Sequence, residues 1–394
     1  MRNRITQFVV KTSKFCNLRC KYCYEMEELG SKVAMTREQH QRMYRHIESY
    51  YSARDAADGQ QTEVRFIWHG GEPLLNEPQH YWDTFADQKE IFGDRFKVLN
   101  LVQTNLTVLD DARVRLLREG FNSVGVSLDL FGGLRVNIAG REAESATLRN
   151  MDVLRKEGIS FGCITVLSRR NIGEITRIVR FYEQAGLSFR LLPLFDAAYP
   201  GQLDDFNVTT MEILEAFKTV FDLWLQSERG FYVIPVSQHI ESVVHHLAGG
   251  PPRHYNKAAW SSAMLINTNG DCYSSGDPYG QPDWTLGNLF RSPLGDIMSG
   301  PGWQKSLANA ERRLAYNCVR CKFFGSCSGH CLVEDETNCR ELSPEGIRVC
   351  VVERLLLEYI ETRLRQLGLP DRKALEGKTA PEPSAAESSA LSVP

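Results

Sequence analysis

The sequence predicts an α/β protein: a partial (β/α)6 barrel followed by a small Cys-rich C-terminal domain. From residue 5 to about 230, short apolar runs alternate with longer amphipathic ones. Six of those runs have the β-branched and aromatic content of parallel strands buried on both faces. The cysteines are gathered rather than spread, three between positions 16 and 23 and six between 318 and 350.

The strand-like pieces are Ile5–Val10, Glu63–His69, Lys97–Gln103, Ser123–Leu128, Ser160–Leu167 and Phe189–Phe195. Helical patterns fall between them at Thr36–Tyr51, Pro78–Phe92, Asp110–Glu119, Ala143–Glu157 and Ile172–Ala185. Thr36-x-x-Gln39 has capping-box spacing, and Gly120, Gly158 and Gly186 stand where helix ends are expected. Right-handed crossovers turn six such units into a curved parallel sheet. Eight would close a barrel, so six make an open, TIM-like one. Residues 207–230 read as one more helix, and after Gly230 the alternation stops. The expected units are a barrel at 1–230, a bridging region with short strands at 231–310, a Cys-rich domain at 311–370 and a disordered tail at 371–394. Within the bridge, Gly249-Gly250-Pro251-Pro252 reads as a turn and Asn267 to Asp271 as a hairpin turn. The tail is assigned from its Ala, Ser, Pro and Glu content.

The chain has 394 residues, enough to bury a large core, and a formal charge of −3 offers no basic field for nucleic acid. No apolar run is long enough for a membrane span. Met1-Arg2-Asn3-Arg4 leads into a strand rather than a signal peptide, so a cytoplasmic location is expected. In a reducing compartment, closely spaced thiols read as metal ligands rather than disulfides.

Cys16-Asn17-Leu18-Arg19-Cys20-Lys21-Tyr22-Cys23 follows the first strand and has C-x3-C-x2-C spacing. Three thiolates on a [4Fe–4S] cluster leave one iron open. The spacing, with Tyr22 just before the third cysteine, resembles the loop of the radical S-adenosylmethionine (SAM) enzymes. The resemblance implies a cluster on Cys16, Cys20 and Cys23 whose open iron chelates SAM. One electron passed to the sulfonium would then give a 5′-deoxyadenosyl radical. Gly70-Gly71-Glu72-Pro73 resembles the motif with which that family holds the SAM amino group. Ser127 and Asp129 resemble its strand reaching the ribose or carboxylate, and Arg135 follows where relatives place an arginine near the carboxylate. Tyr22 and Gln103 are further cofactor-binding candidates. In parallel α/β folds such loops meet at the carboxyl ends of strands.

Cys318-x2-Cys321-x5-Cys327-x3-Cys331, followed by Cys339 and Cys350, reads either as a zinc ribbon or as iron–sulfur ligands. It resembles the SPASM extension of some radical SAM enzymes. That resemblance implies an auxiliary cluster on Cys318, Cys321, Cys327 and Cys350. A second auxiliary cluster is open, because Ser275 stands where the family has a cysteine; Cys272, Cys331 and Cys339 are its candidate ligands.

SPASM relatives act mostly on peptides, with a flavodoxin or ferredoxin as reductant. Trp68 to Leu75 and Val126 to Gly132 resemble cyclophane-forming maturases, so the leading expectation is a maturase that crosslinks a ribosomally made precursor peptide. The alternatives are an anaerobic sulfatase-type maturase making formylglycine, a SPASM dehydrogenase acting on a small metabolite, and a noncatalytic zinc scaffold. Asp277 is the candidate general base.

Overall fold

The computed structural model describes residues 4–194, 204–253, 256, 263–274, 280–328 and 341–368. Strands β1 (Arg4–Ser13), β2 (Thr62–Gly70), β3 (Lys97–Thr104), β4 (Ser123–Ser127), β5 (Phe161–Leu167) and β6 (Phe189–Pro193) pair in parallel, in chain order. Helices α1 (Arg37–Asp58), α2 (Pro78–Phe92), α3 (Asp111–Glu119), α4 (Glu144–Lys156) and α5 (Ile175–Ala185) form the crossovers, as the alternation predicts.

Local chemistry sets the boundaries. Thr36 and Gln39 cap α1 reciprocally, each side chain accepting from the other's backbone N–H. Gly186 closes α5 in the left-handed region at φ 65°. Gly120 departs from expectation: its φ of −100° is right-handed. It is small because a Cβ would sit 2.8 Å from the Phe85 ring.

Alternate strand residues divide the core into two layers. Phe8, Phe66, Trp68, Val102, Val126 and Phe189 face the helices. Val9, Ile67, Leu101, Val166 and Leu192 form a second layer that contains no residue from a helix, so the sheet curves around it. This inner layer floors the site.

Residues 231–310, expected as a bridge, extend the same sheet. Strand β7 (Val233–Ile234) adds to β6, and β8 (Ala263–Ile266) pairs in parallel with the free side of β1. Antiparallel β9 (Asp271–Tyr273) and β10 (Gly287–Asn288) follow, completing the order β10-β9-β8-β1-β2-β3-β4-β5-β6-β7. The predicted hairpin turn joins β8 to β9. Two helices there were not anticipated: α7 (Val236–Leu247) and the short α8 (Leu294–Ser299). Beyond α6 (Thr210–Gln226), helix α9 (Pro301–Asn317) crosses the expected boundary at 310, and α10 (Val352–Gln366) packs on α6 and α7. Among the described residues no helix is long and apolar enough to cross a membrane.

Candidate active site

The site is built at the carboxyl ends of β1 to β5, beginning with how β1 and β2 finish. Their register shifts between Lys11 and Ser13. The chain leaving β1 then lies against the glycine pair: Gly71 N–H donates to Ser13 O and Glu72 N–H to Phe15 O, both at 2.9 Å. A Cβ on Gly71 would overlap the carbonyl oxygens of Lys14 and Phe15, and one on Gly70, at φ 127°, would overlap that of Ser13. The glycines were expected to admit a ligand. Here they admit the backbone that carries Cys16.

Glu72 is held by protein donors. Its carboxylate is buried and accepts from Leu74 N–H (2.9 Å), Asn105 N–H (2.7 Å) and the Thr104 hydroxyl (2.6 Å). Burial raises its pKa, and these three donors oppose the rise. The side chain ties the end of β2 to the end of β3.

The cysteine loop is held from its other side by the segment after β4. Arg19 N–H donates to Val136 O (2.7 Å) and Lys21 N–H to Leu134 O (3.0 Å). Cys16, Cys20 and Cys23 share one small cluster with Leu18, Leu29 and Ala143. Donors surround the sulfurs: Leu18 N–H lies 3.4 Å from Cys16 Sγ, Asn105 Nδ2 3.9 Å from the same sulfur, and Arg135 Nη1 3.9 Å from Cys20 Sγ. Burial pushes the Cys16 thiol up to about 11 and the Cys20 thiol up to about 12. A metal centre bound as thiolate must displace those protons. The donor set fits an iron–sulfur cluster on the loop.

A buried polar triad stands beside it. The Tyr22 hydroxyl donates to Asp129 Oδ2 (2.5 Å), Arg135 Nε lies 2.7 Å from that oxygen, and Val166 N–H donates to Asp129 Oδ1 (2.6 Å). The hydroxyl of Tyr22 is thus committed to protein. Burial opposes the charge on Arg135, but Asp129, Tyr22 and Cys20 together outweigh it and hold the guanidinium charged. Gln103 Nε2 donates to the Ser127 hydroxyl at 2.7 Å. Gln103 Oε1, buried on the inner face at the end of β3, has no hydrogen-bond partner among the described residues, as an atom awaiting a polar ligand would be. His69 Nδ1 is in the same condition, and burial lowers that imidazole to about 4.

The second cysteine group forms its own pocket. Cys318, Cys321, Cys327 and Cys350 line one pocket with Phe323, Phe324 and Leu357. Asn317 braces it, accepting from Cys350 N–H (3.0 Å) and donating to Arg348 O (3.0 Å). His245 Nδ1 lies 2.9 Å from Oγ of Ser326, the residue before Cys327, so α7 is pinned to this loop. Four thiols around one apolar pocket are a donor set of the chemistry an iron–sulfur cluster takes, while among the described residues no three such side chains converge on a single metal ion.

Cys272 is separate from both groups. Its side chain is fully buried in the helix-facing layer, with the thiol donating to Gly270 O at 3.5 Å. Asp277, Ser275, Cys331 and Cys339 lie outside the described residues. Asn317 escaped the sequence reading, as did Lys11 and Glu25, which pair at 2.9 Å next to the Cys23 end of the loop. Only Lys11, a charge inside an apolar strand, left a signal there.

Two outcomes test this construction. Glu72→Ala strands two buried N–H groups and is expected to lower the apoprotein's stability by on the order of 3 kcal/mol in urea unfolding. Gly71→Ala is expected to lower iron retained on the first loop after anaerobic reconstitution. Gly30→Ala, where a Cβ meets nothing within 4 Å, is expected to leave it unchanged.

Residues 10–182 match the Radical SAM superfamily. The serine-type anaerobic sulfatase-maturating enzyme of Bacteroides thetaiotaomicron is 25% identical over 342 residues, 80% of this chain and 80% of that one. The cysteine-type enzyme of Clostridium perfringens (strain 13 / Type A) is 20% identical over 345 residues, 83% and 88% of the two chains. Among solved structures, anSMEcpe with bound AdoMet and Cp18Cys peptide superposes with TM-score 0.70 at 17% identity, over 92% of this chain and 98% of that one. Streptococcus suis SuiB bound to S-adenosylmethionine superposes with TM-score 0.55 at 16% identity, over 84% and 73%. These structures share the fold. The superfamily match lies on the Cys16 loop and the barrel that presents it, so residues 10–182 are a radical SAM domain and the chain is an enzyme whose cofactors are a [4Fe–4S] cluster and SAM.

Proposed function

We propose that this enzyme oxidises a side-chain carbon of a peptide in the manner of the anaerobic sulfatase maturases, converting a serine or cysteine to formylglycine. One observation carries the reading. Similarity to the serine-type maturase runs through 80% of both chains, too long a span to be confined to residues 1–230. The crosslinking reading keeps second place, because Trp68 to Leu75 and Val126 to Gly132 resemble cyclophane-forming maturases. Both chemistries begin with removal of one hydrogen from carbon.

When bound, the cluster and SAM supply the carbon-centred radical that takes this hydrogen. In this proposal Cys16, Cys20 and Cys23 hold the SAM-binding cluster, and Cys318, Cys321, Cys327 and Cys350 hold an auxiliary one. Arg135 faces the SAM carboxylate and is kept charged and oriented by Asp129, which Tyr22 and Val166 fix in turn. The Glu72 carboxylate being occupied, backbone carbonyls of Gly70 and Gly71 accept from the SAM ammonium. Gln103, aligned by Ser127, offers its open oxygen to the remaining polar edge. The inner layer below excludes water that would quench a radical. Asp277 remains the proposed base for the second proton, and a flavodoxin or ferredoxin the proposed reductant.

Replacing Cys16, Cys20 and Cys23 together with Ala is expected to abolish SAM cleavage while iron on the C-terminal cysteines persists. Unchanged 5′-deoxyadenosine output would refute the cluster assignment. Asp129→Asn releases Arg135 from its carboxylate and is expected to cut SAM cleavage roughly 10- to 100-fold, the usual loss when an outer partner of a metal-site group is removed. To separate the two chemistries, serine- and cysteine-containing peptides would be incubated anaerobically, treated with an aminooxy reagent and analysed by mass spectrometry. An aminooxy adduct supports formylglycine. Loss of two hydrogens without an adduct supports a crosslink.

A further inference from the structure

A buried charge pair lies directly behind the catalytic cysteine loop, and nothing above uses it. Lys11, in the apolar strand β1, has no exposed side-chain surface, and Glu25 has 4%. Lys11 Nζ donates to Glu25 Oε1 (2.9 Å) and to the Tyr24 hydroxyl (2.9 Å), and sits 4.5 Å from the centre of the Tyr24 ring. Tyr24 and Glu25 are the two residues immediately after Cys23. Both of these partners of the ammonium belong to the segment leaving the third cysteine. Across the sheet, Lys11 stands in register with His69.

Such a pair is not the cheapest way to fill this space. Desolvating two charges costs several kcal/mol each, and well-packed apolar residues of similar size often serve stability as well or better. What a charge pair adds is direction. Holding Glu25 fixes its backbone N–H, whose hydrogen bond opposes the burial that raises the Cys23 thiol. An N–H bond to a ligand sulfur stabilises the more reduced, more negative cluster, and nearby charge does the same or the opposite according to sign.

We infer that Lys11 and Glu25 form a positioning pair that sets the reduction potential of the SAM-binding cluster. Lys11 draws the segment after Cys23 onto β1, keeping the N–H bond on the sulfur. Its positive charge favours the reduced cluster, and the negative charge of Glu25 opposes it. Neither residue touches substrate. The inference rests on Cys16, Cys20 and Cys23 carrying the redox centre.

The test is an anaerobic redox titration of the reconstituted full-length enzyme, following the EPR signal that SAM perturbs. Glu25→Gln preserves shape and an acceptor for Lys11 while removing negative charge, so the midpoint is expected to rise. Lys11→Met removes the positive charge and the grip on Glu25, so the midpoint is expected to fall. The expected change for each is at least a tenfold shift in the reduced-to-oxidised ratio at fixed potential, or 59 mV for one electron. Lys11→Arg is expected to stay near wild type. Unchanged midpoints, or the same sign in both charge-removing variants, would overturn the inference. If Lys11→Met retains no iron, Glu25→Gln decides alone, an unshifted or lowered midpoint being the contrary result. Absence of any SAM-perturbed signal from the wild-type enzyme would instead count against the cluster assignment itself.

Discussion

The site depends on a backbone-to-backbone contact with no space for side chains. Where β2 ends, Gly71 and Glu72 donate to the carbonyls of the segment leaving β1, at a separation that only glycine permits. That contact fixes the direction in which the chain enters the cysteine loop. Glu72 then carries the constraint to β3 by accepting from Thr104 and Asn105. Three strand ends are thereby locked into one rim. Since a cluster tolerates little ligand displacement, the precision of this rim is a condition for everything built on it.

Charge is arranged around the rim with comparable economy. Arg135 and Asp129 compensate one another on the β4 side of the loop, and Lys11 and Glu25 do so on the β1 side. Further hydrogen bonds support each pair, from Tyr22 and Val166 to Asp129 and from Lys11 to Tyr24, the condition under which a buried ion is tolerated. The loop thus lies between two neutralised pairs, one beside Cys20 and one beyond Cys23. The thiols at 318, 321, 327 and 350 sit in a more apolar setting, braced by Asn317 and by His245 through Ser326. The two groups of cysteines therefore occupy electrostatically different surroundings, as centres with different tasks would.

Much of this was legible in the amino-acid string. The six parallel strands and the crossover helices follow from patterning that survives to within a few residues at most boundaries. The four thiols that share the second pocket were grouped from spacing and resemblance alone. Less legible was the region after residue 230. Its β7 to β10 are two to four residues long, too short for periodicity to register, and they exist because β1 and β6 leave edges to be paired. Helices α7, α8 and α9 were missed for a related reason: strands this short set up no alternation to mark where the helices fall.

What the sequence by itself determined is the inventory and its order: a strand-helix alternation that makes a parallel sheet, a three-cysteine loop after the first strand, and a Cys-rich segment after the last. Local periodicity and spacing suffice for these because they are properties of neighbours in the chain. Only the tertiary structure decided what the individual groups do. It turned the glycine pair toward the backbone at 14–15, gave Glu72 to the end of β3, joined Tyr22 to a carboxylate 107 positions away, and sank Cys272 among helix-facing side chains. Those outcomes come from which distant segments meet at the rim, and from the requirement that each buried donor or charge there find a partner.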